Sequence, residues 1–376
     1  MRGKRALVVL GLAALVAVVV LMLAGCSGSG TTSGSSGASS SASGGPVKIA
    51  LLLPETKTAR YETQDKPLFE AKVKEIAPDA QILYSNANQD PAQQQSQADA
   101  ALTNGANVLV LDAVDSTSAA SIVQKASAKG VPVIAYDRLI NGAPIDNYVS
   151  FDNEQVGKLQ AQALLEKLKA TSGGKKPTIV MINGSPTDNN ATLFKKGAHS
   201  VLDGQVTIAA EYDTPDWSPD KAQTEMDQAI TKLGKNGFDG VYAANDGTAG
   251  GAIAAMKAAG IDPTTKPTTG QDAELAGIQR IILGEQYMTV YKAISQEASS
   301  AAVLAVALGS KQAPPASLTM TNVNNGTKDV PSVLLVPVAV NKDNIKSTVV
   351  ADKFWTPAQI LNTPQLKAAA AALGLQ

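Results

Sequence analysis

From Val47 onward, short apolar runs alternate with longer stretches in which apolar and polar residues recur at helical spacing. The runs predict strands over Val47–Leu53, Gln81–Ser85, Asn107–Ala113, Val131–Asp137 and Asn147–Phe151, then Thr178–Asn183, Val206–Tyr212, Gly240–Asn245 and Tyr287–Tyr291. Several are apolar throughout, as strands covered on both faces should be. Between them the pattern predicts helices, among them Pro91–Asn104, Ser116–Lys129, Glu154–Lys169, Pro219–Lys235 and Thr248–Ala259. Asp90-Pro91 and Ser218-Pro219 read as a cap followed by Pro in the first turn, and Asn104-Gly105, Lys129-Gly130 and Ala259-Gly260 as helix stops. Repeated β-α-β alternation predicts an α/β fold with parallel, doubly wound sheets. A break near residue 150 and a second series from Thr178 predict two similar halves.

The first 45 residues do not follow this pattern. Arg2, Lys4 and Arg5 precede an uncharged run from Ala6 to Ala24, the layout of an export signal. Leu23-Ala24-Gly25-Cys26 places small residues directly before the single Cys, as in a lipobox, so Cys26 is expected to carry a lipid after cleavage. Ser27 to Gly45 contains only Ser, Gly, Thr and Ala. Such a segment buries too little apolar area to offset its ordering entropy, and reads as a tether of roughly 25 Å reach.

Composition removes several function classes. Of 376 residues, 32 are Lys or Arg and 33 are Asp or Glu, a net charge of −1 that lacks the basic excess of a nucleic-acid binder. One Cys and one His (His199) exclude Cys-rich zinc sites and multi-His metal sites. There is no G-x-S-x-G elbow, no P-loop and no G-x-G-x-x-G after the first strand. Gly247–Gly251 reads as close helix–strand packing, and His199 as a helix-surface residue. No cofactor and no metal are expected.

In open α/β sheets, ligands sit beyond the carboxyl ends of the strands. Polar residues gather there: Asp112, Asp137-Arg138, Asp188-Asn189-Asn190, Asn245-Asp246, Gln271-Asp272 and Lys292. Fixed acceptors beside fork-shaped Arg donors suit a neutral polyol, whose hydroxyls both donate and accept. Trp217, in a Pro-bounded loop, could supply the flat face for its C–H groups, or could simply cap the core.

The segments VLVLDAVDSTSAASIVQKASAKGVPVIAYDRLI, SFDNEQVGKLQAQAL, NGSPTDNNATLF, NDGTAGGAI, TGQDAELAGIQRI and DVPSVLLVPVAVNKDNI closely resemble bacterial sugar receptors of ABC importers. The nearest branch is that of the D-xylose-binding and multiple-sugar-binding proteins, and the resemblance runs from about Lys48 to Ile345. It implies a type I periplasmic-binding-protein fold of two lobes joined by three crossovers. Lobe one would span 47–150 and 273–317 and lobe two 151–272 and 318–346, with a C-terminal tail at 347–376. The resemblance also implies sugar contacts from Arg60, Asp137, Arg138, Asn190, Asp246, Gln271 and Lys292. Tyr61 stands where relatives often carry Trp, and Asp112 where they vary. Implied partners are a monosaccharide and permease subunits, for a monomer held to the membrane only through its lipid. The alternatives are a sensor that presents its sugar to a receptor kinase or chemoreceptor, and an exported glycosidase or epimerase.

Overall fold

A computed structural model describes residues 45–375, so the export signal (1–25), Cys26 and most of the linker (26–46) lie outside the described residues. In chain order the first half supplies β1 (Lys48–Leu53), α1 (Lys66–Ile76), β2 (Gln81–Asn86), α2 (Pro91–Thr103), β3 (Val108–Leu111), α3 (Ala120–Ala128), β4 (Val133–Tyr136) and β5 (Asn147–Phe151). Then follow α4 (Asn153–Thr171), β6 (Thr178–Asn183), α5 (Asn189–Leu202), β7 (Thr207–Asp213), α6 (Pro219–Leu233), β8 (Gly240–Ala243), α7 (Asp246–Ala258), α8 (Leu275–Leu283) and β9 (Thr289–Tyr291). The remainder is α9 (Ile294–Gly309), β10 (Thr321–Asn324), β11 (Asp329–Leu335), β12 (Val338–Val340) and the short helices α10 (Pro357–Ile360) and α11 (Pro364–Ala370).

Seven strands form the larger sheet in the order β10-β11-β5-β4-β3-β1-β2, parallel except where β10 runs against β11. Alternation along β1 shows why its run is apolar throughout. Ala50 and Leu52 pack on the α2–α3 side, while Ile49, Leu51 and Leu53 pack on the α1–α9 side. The smaller sheet, β7-β6-β8, works the same way. Ile179 and Met181 of β6 join the core under α4 and α5, while Val180 and Ile182 join that under α6 and α7. An extended segment at 267–272 continues this sheet, since Val241 N–H donates to the Pro267 carbonyl and Val290 N–H to that of Gly270. β9 then pairs with β12.

The chain passes between the sheets three times: after β5, between β9 and α9, and between β11 and β12. Strand pairing corrects the expected boundaries. Residues 273–292 pair and pack with the second sheet, whereas β10 and β11, expected in lobe two, extend the first. The tail is an integral layer rather than an appendage. Val349, Phe354, Trp355, Ile360 and Leu366 bury against α8 and Tyr291, and the Trp355 indole donates to the Ala273 carbonyl at 2.8 Å. The glycines of Gly247–Gly251 also differ from expectation. A Cβ at Gly251 would overlap the Pro219 carbonyl, so that close approach is helix on helix, α7 against α6. His199 lies on α5, half-buried, between Asp203 and Glu211.

Candidate functional site

The carboxyl ends of both sheets face a common cavity enclosing about 260 Å3 of space between the protein atoms, part of it open to solvent. Eight of the ten expected binding residues line it: Arg60, Tyr61, Asp137, Arg138, Asn190, Trp217, Gln271 and Lys292. The rim is closed by contacts between the halves. Ser116 N–H donates to the Thr187 carbonyl at 2.9 Å, Asn189 N–H to the Ser116 hydroxyl at 3.1 Å, and Asn190 Nδ2 to the Asp137 carbonyl at 3.0 Å.

Asp137 follows β4 with a left-handed backbone, φ +53°, uncommon for a residue with a Cβ. What holds it there is its carbonyl oxygen, which accepts from Tyr148, Ser150 and Asn190 at 3.0, 2.7 and 3.0 Å. Its carboxylate accepts from the Tyr61 hydroxyl at 2.9 Å and lies 3.4 Å from Arg60 and 3.6 Å from Lys292. Burial alone would raise this carboxyl, but Arg60, Lys292, Arg138 and the Tyr61 hydroxyl hold it well below the usual carboxylate range. Arg60 is oriented from behind. Asp65 takes its Nε edge at 2.9 and 2.6 Å and Glu297 accepts at 2.6 Å, which leaves Nη1 toward Asp137 and the cavity. Burial lifts Glu297 to about 8 despite Arg60. Lys292, in the second crossover, lies 3.6 Å from both Asp137 and Asp272.

One wall is apolar. Trp217 is buried in a turn where both it and Asp216 have positive φ, and its indole donates to Asp188 at 3.0 Å. Phe194 meets it edge-on at 6.2 Å. Gly184, just beyond β6, is required by this ring, which a Cβ there would overlap. Gln271, also in the cavity lining, has its Oε1 buried with no hydrogen-bond partner among the described residues, an acceptor open to a ligand hydroxyl.

Two expected residues are elsewhere. Asp246 is fully buried behind the cavity wall. It accepts from Gln286 at 2.6 Å, Thr289 at 3.0 Å and Glu274 N–H at 2.8 Å, so it ties α7 to α8 and β9. Its neighbour Asn245, the α7 N-cap, lines the cavity instead. Asp112 sits one layer back, 3.5 Å from Arg138. Asp188 and Asp272, named in the strand-end cluster but not among the ten expected contacts, also line the cavity, as does Phe194, which sequence reasoning did not single out. Phe194 was within reach, because four residues after Asn190 it shares that residue's helix face. Asp272 was legible as a strand-end acid, but not its orientation into the cavity, which depends on φ +91°. Among the described residues, no group of His, Cys, Asp and Glu is placed to hold a metal ion.

Comparison with known proteins agrees with this architecture. A periplasmic binding protein domain model matches residues 49–313. The D-xylose-binding periplasmic protein of Escherichia coli is 40% identical over 319 residues, 84% of this chain and 92% of that protein. The multiple sugar-binding periplasmic receptor ChvE of Rhizobium radiobacter is 35% identical over 72% of this chain and 81% of its own length. A carbohydrate transporter solute binding protein from Chloroflexus aurantiacus, solved with D-glucose, superposes with TM-score 0.74 at 30% identity, covering 83% of this chain and 97% of that one. An ABC transporter solute binding protein from Clostridium phytofermentans, solved with β-D-glucose, gives TM-score 0.74 at 28% identity, over 83% of this chain and 99% of that one. With two mainly parallel sheets facing one polar cavity, and with likeness over most of its length, this chain belongs to the periplasmic binding proteins.

Proposed function

We propose that this chain is the solute receptor of an ABC sugar importer, capturing one monosaccharide, xylose or a related aldose, by closure of its two halves and delivering it to a permease. The observation that carries this reading is the composition of the shared cavity. Arg60, Asp137 and Arg138 from one half meet Asn190, Trp217, Asn245 and Gln271 from the other. Fixed acceptors and donors match the hydroxyls of an uncharged sugar, and the Trp217–Phe194 wall suits its C–H faces. A ligand can drive closure only through its greater affinity for the closed state, and contacts from both halves supply that difference. The relatives named above, a D-xylose-binding protein and a multiple-sugar receptor, support the same class of ligand. Export and anchoring through Cys26 would keep the receptor, as a monomer, beside its membrane partner. Binding without turnover is expected.

A thermal-shift screen against D-xylose, D-glucose and other common monosaccharides tests this reading. Sugar at 100 times its Kd adds about 2.7 kcal/mol to stability, and the sugar should be recovered unchanged by NMR. No shift with any aldose, or conversion of the sugar, would reject the proposal.

A further inference from the structure

We propose that Arg138 exchanges carboxylate partners as the cleft works, pairing with Asp188 across the cleft when closed and with Asp112 on its own side when open. Asp112 is then a positioning residue that sets how readily the protein opens. The inference rests on cleft closure in the proposed function.

The geometry isolates one nitrogen. Arg138 Nη1 donates to the Ala113 carbonyl at 3.3 Å, while Nη2 donates to the Tyr61 hydroxyl at 3.1 Å and lies 3.8 Å from Glu55. All of these partners belong to the first half. Nε is the nitrogen that faces both sides, 3.1 Å from Asp188 and 3.5 Å from Asp112, an ion-pair distance to each with hydrogen-bond geometry to neither. Asp188 belongs to the second half, where it caps α5 through Asn190 N–H at 2.8 Å and holds the Trp217 indole. Any opening that carries α5 away therefore removes Asp188 from Arg138.

Asp112 is otherwise unexplained. Its side chain is fully buried, does not line the cavity, and has no hydrogen-bond partner on either oxygen among the described residues. Its backbone is fixed, with its N–H donating to Leu52 and its carbonyl accepting from Gln94. Burial pushes its carboxyl well up against the pull of Arg138. A small rotation of the guanidinium brings Nε within hydrogen-bond reach of Asp112. The arginine then faces a carboxylate in both states, and opening does not strand a buried cation.

Asp112→Asn keeps the shape and removes the charge. X-ray scattering of the ligand-free variant should show a more compact protein than wild type, and its affinity for D-xylose should rise by about threefold or more. Asp188→Asn should do the reverse, giving a more expanded ligand-free protein and weaker binding. A general loss of stability would not give opposite signs. Unchanged compactness in Asp112→Asn, or both variants moving the same way, would overturn the exchange. A loss of affinity without a change in compactness would instead make Asp112 a ligand contact and overturn it too. Should wild type bind no aldose, the proposed function falls while the scattering comparison still decides this one.

Discussion

Among the described residues, left-handed backbone at non-glycine positions occurs in or beside the cavity lining at Asp137, at Asp216 and Trp217, and at Asp272 and Ala273, and away from it at Asn88, Gln89, Lys311 and Lys353. Such residues cost of order 1–3 kcal/mol each and persist where the surroundings over-determine them, as the three donors on the Asp137 carbonyl do. Gly184 illustrates the same precision from the other side. Gly184→Ala should displace the Trp217 ring and weaken sugar binding at least tenfold, an effect titration calorimetry would detect; unchanged affinity would mean that the ring is not a ligand wall. Asp246→Ala carries a different expectation. It leaves Gln286, Thr289 and the Glu274 N–H without their acceptor, so it should lower unfolding free energy by about 2–4 kcal/mol. Urea titration measures this, and a stable variant defective only in binding would restore Asp246 to the cavity. Sequence placed the polar cluster because strand ends are readable from apolar runs. It could not separate Asn245 from Asp246, since which of two adjacent residues faces the cleft depends on the helix N-cap geometry.

The elements themselves were the most legible level. β1, β3 and β6 are apolar runs because both their faces are covered, and their ends coincide with turn-forming residues. What escaped was the pairing of β10 and β11, an antiparallel hairpin outside the β-α rhythm, and the α4–α5 crossing. That crossing is set by Gly157, where a Cβ would overlap the Phe194 carbonyl, and Gly197, where it would overlap that of Glu154. Gly157→Ala raises helix propensity yet should destabilise by about 1–3 kcal/mol through overpacking, and should move Phe194 at the cavity wall. Thermal denaturation with sugar titration checks this. A stabilised variant would show that the helices can part without cost.

At the scale of the molecule, buried acids make stability depend on pH. Burial raises Asp246 to about 7 and Glu274 to about 8, so each keeps a proton in the folded state that the unfolded chain has released by about pH 5. The unfolded state then binds fewer protons, and stability should fall as pH rises from about 5 to 8. The depressed Asp137 works in the opposite sense only in a more acidic window. Urea titrations at pH 5 and pH 8 test the sign, and equal or greater stability at pH 8 would contradict it.

The central claim is that one sugar bridges the two halves. Calorimetric titration of D-xylose into Asp137→Asn and Gln271→Ala tests it with one residue from each side. Asn tolerates the left-handed backbone of Asp137, and the Gln271 side-chain oxygen has no partner to lose among the described residues, so both variants should fold. Each alone should weaken binding tenfold or more; wild-type affinity in either would mean that the ligand rests on one half and the cleft does not close around it.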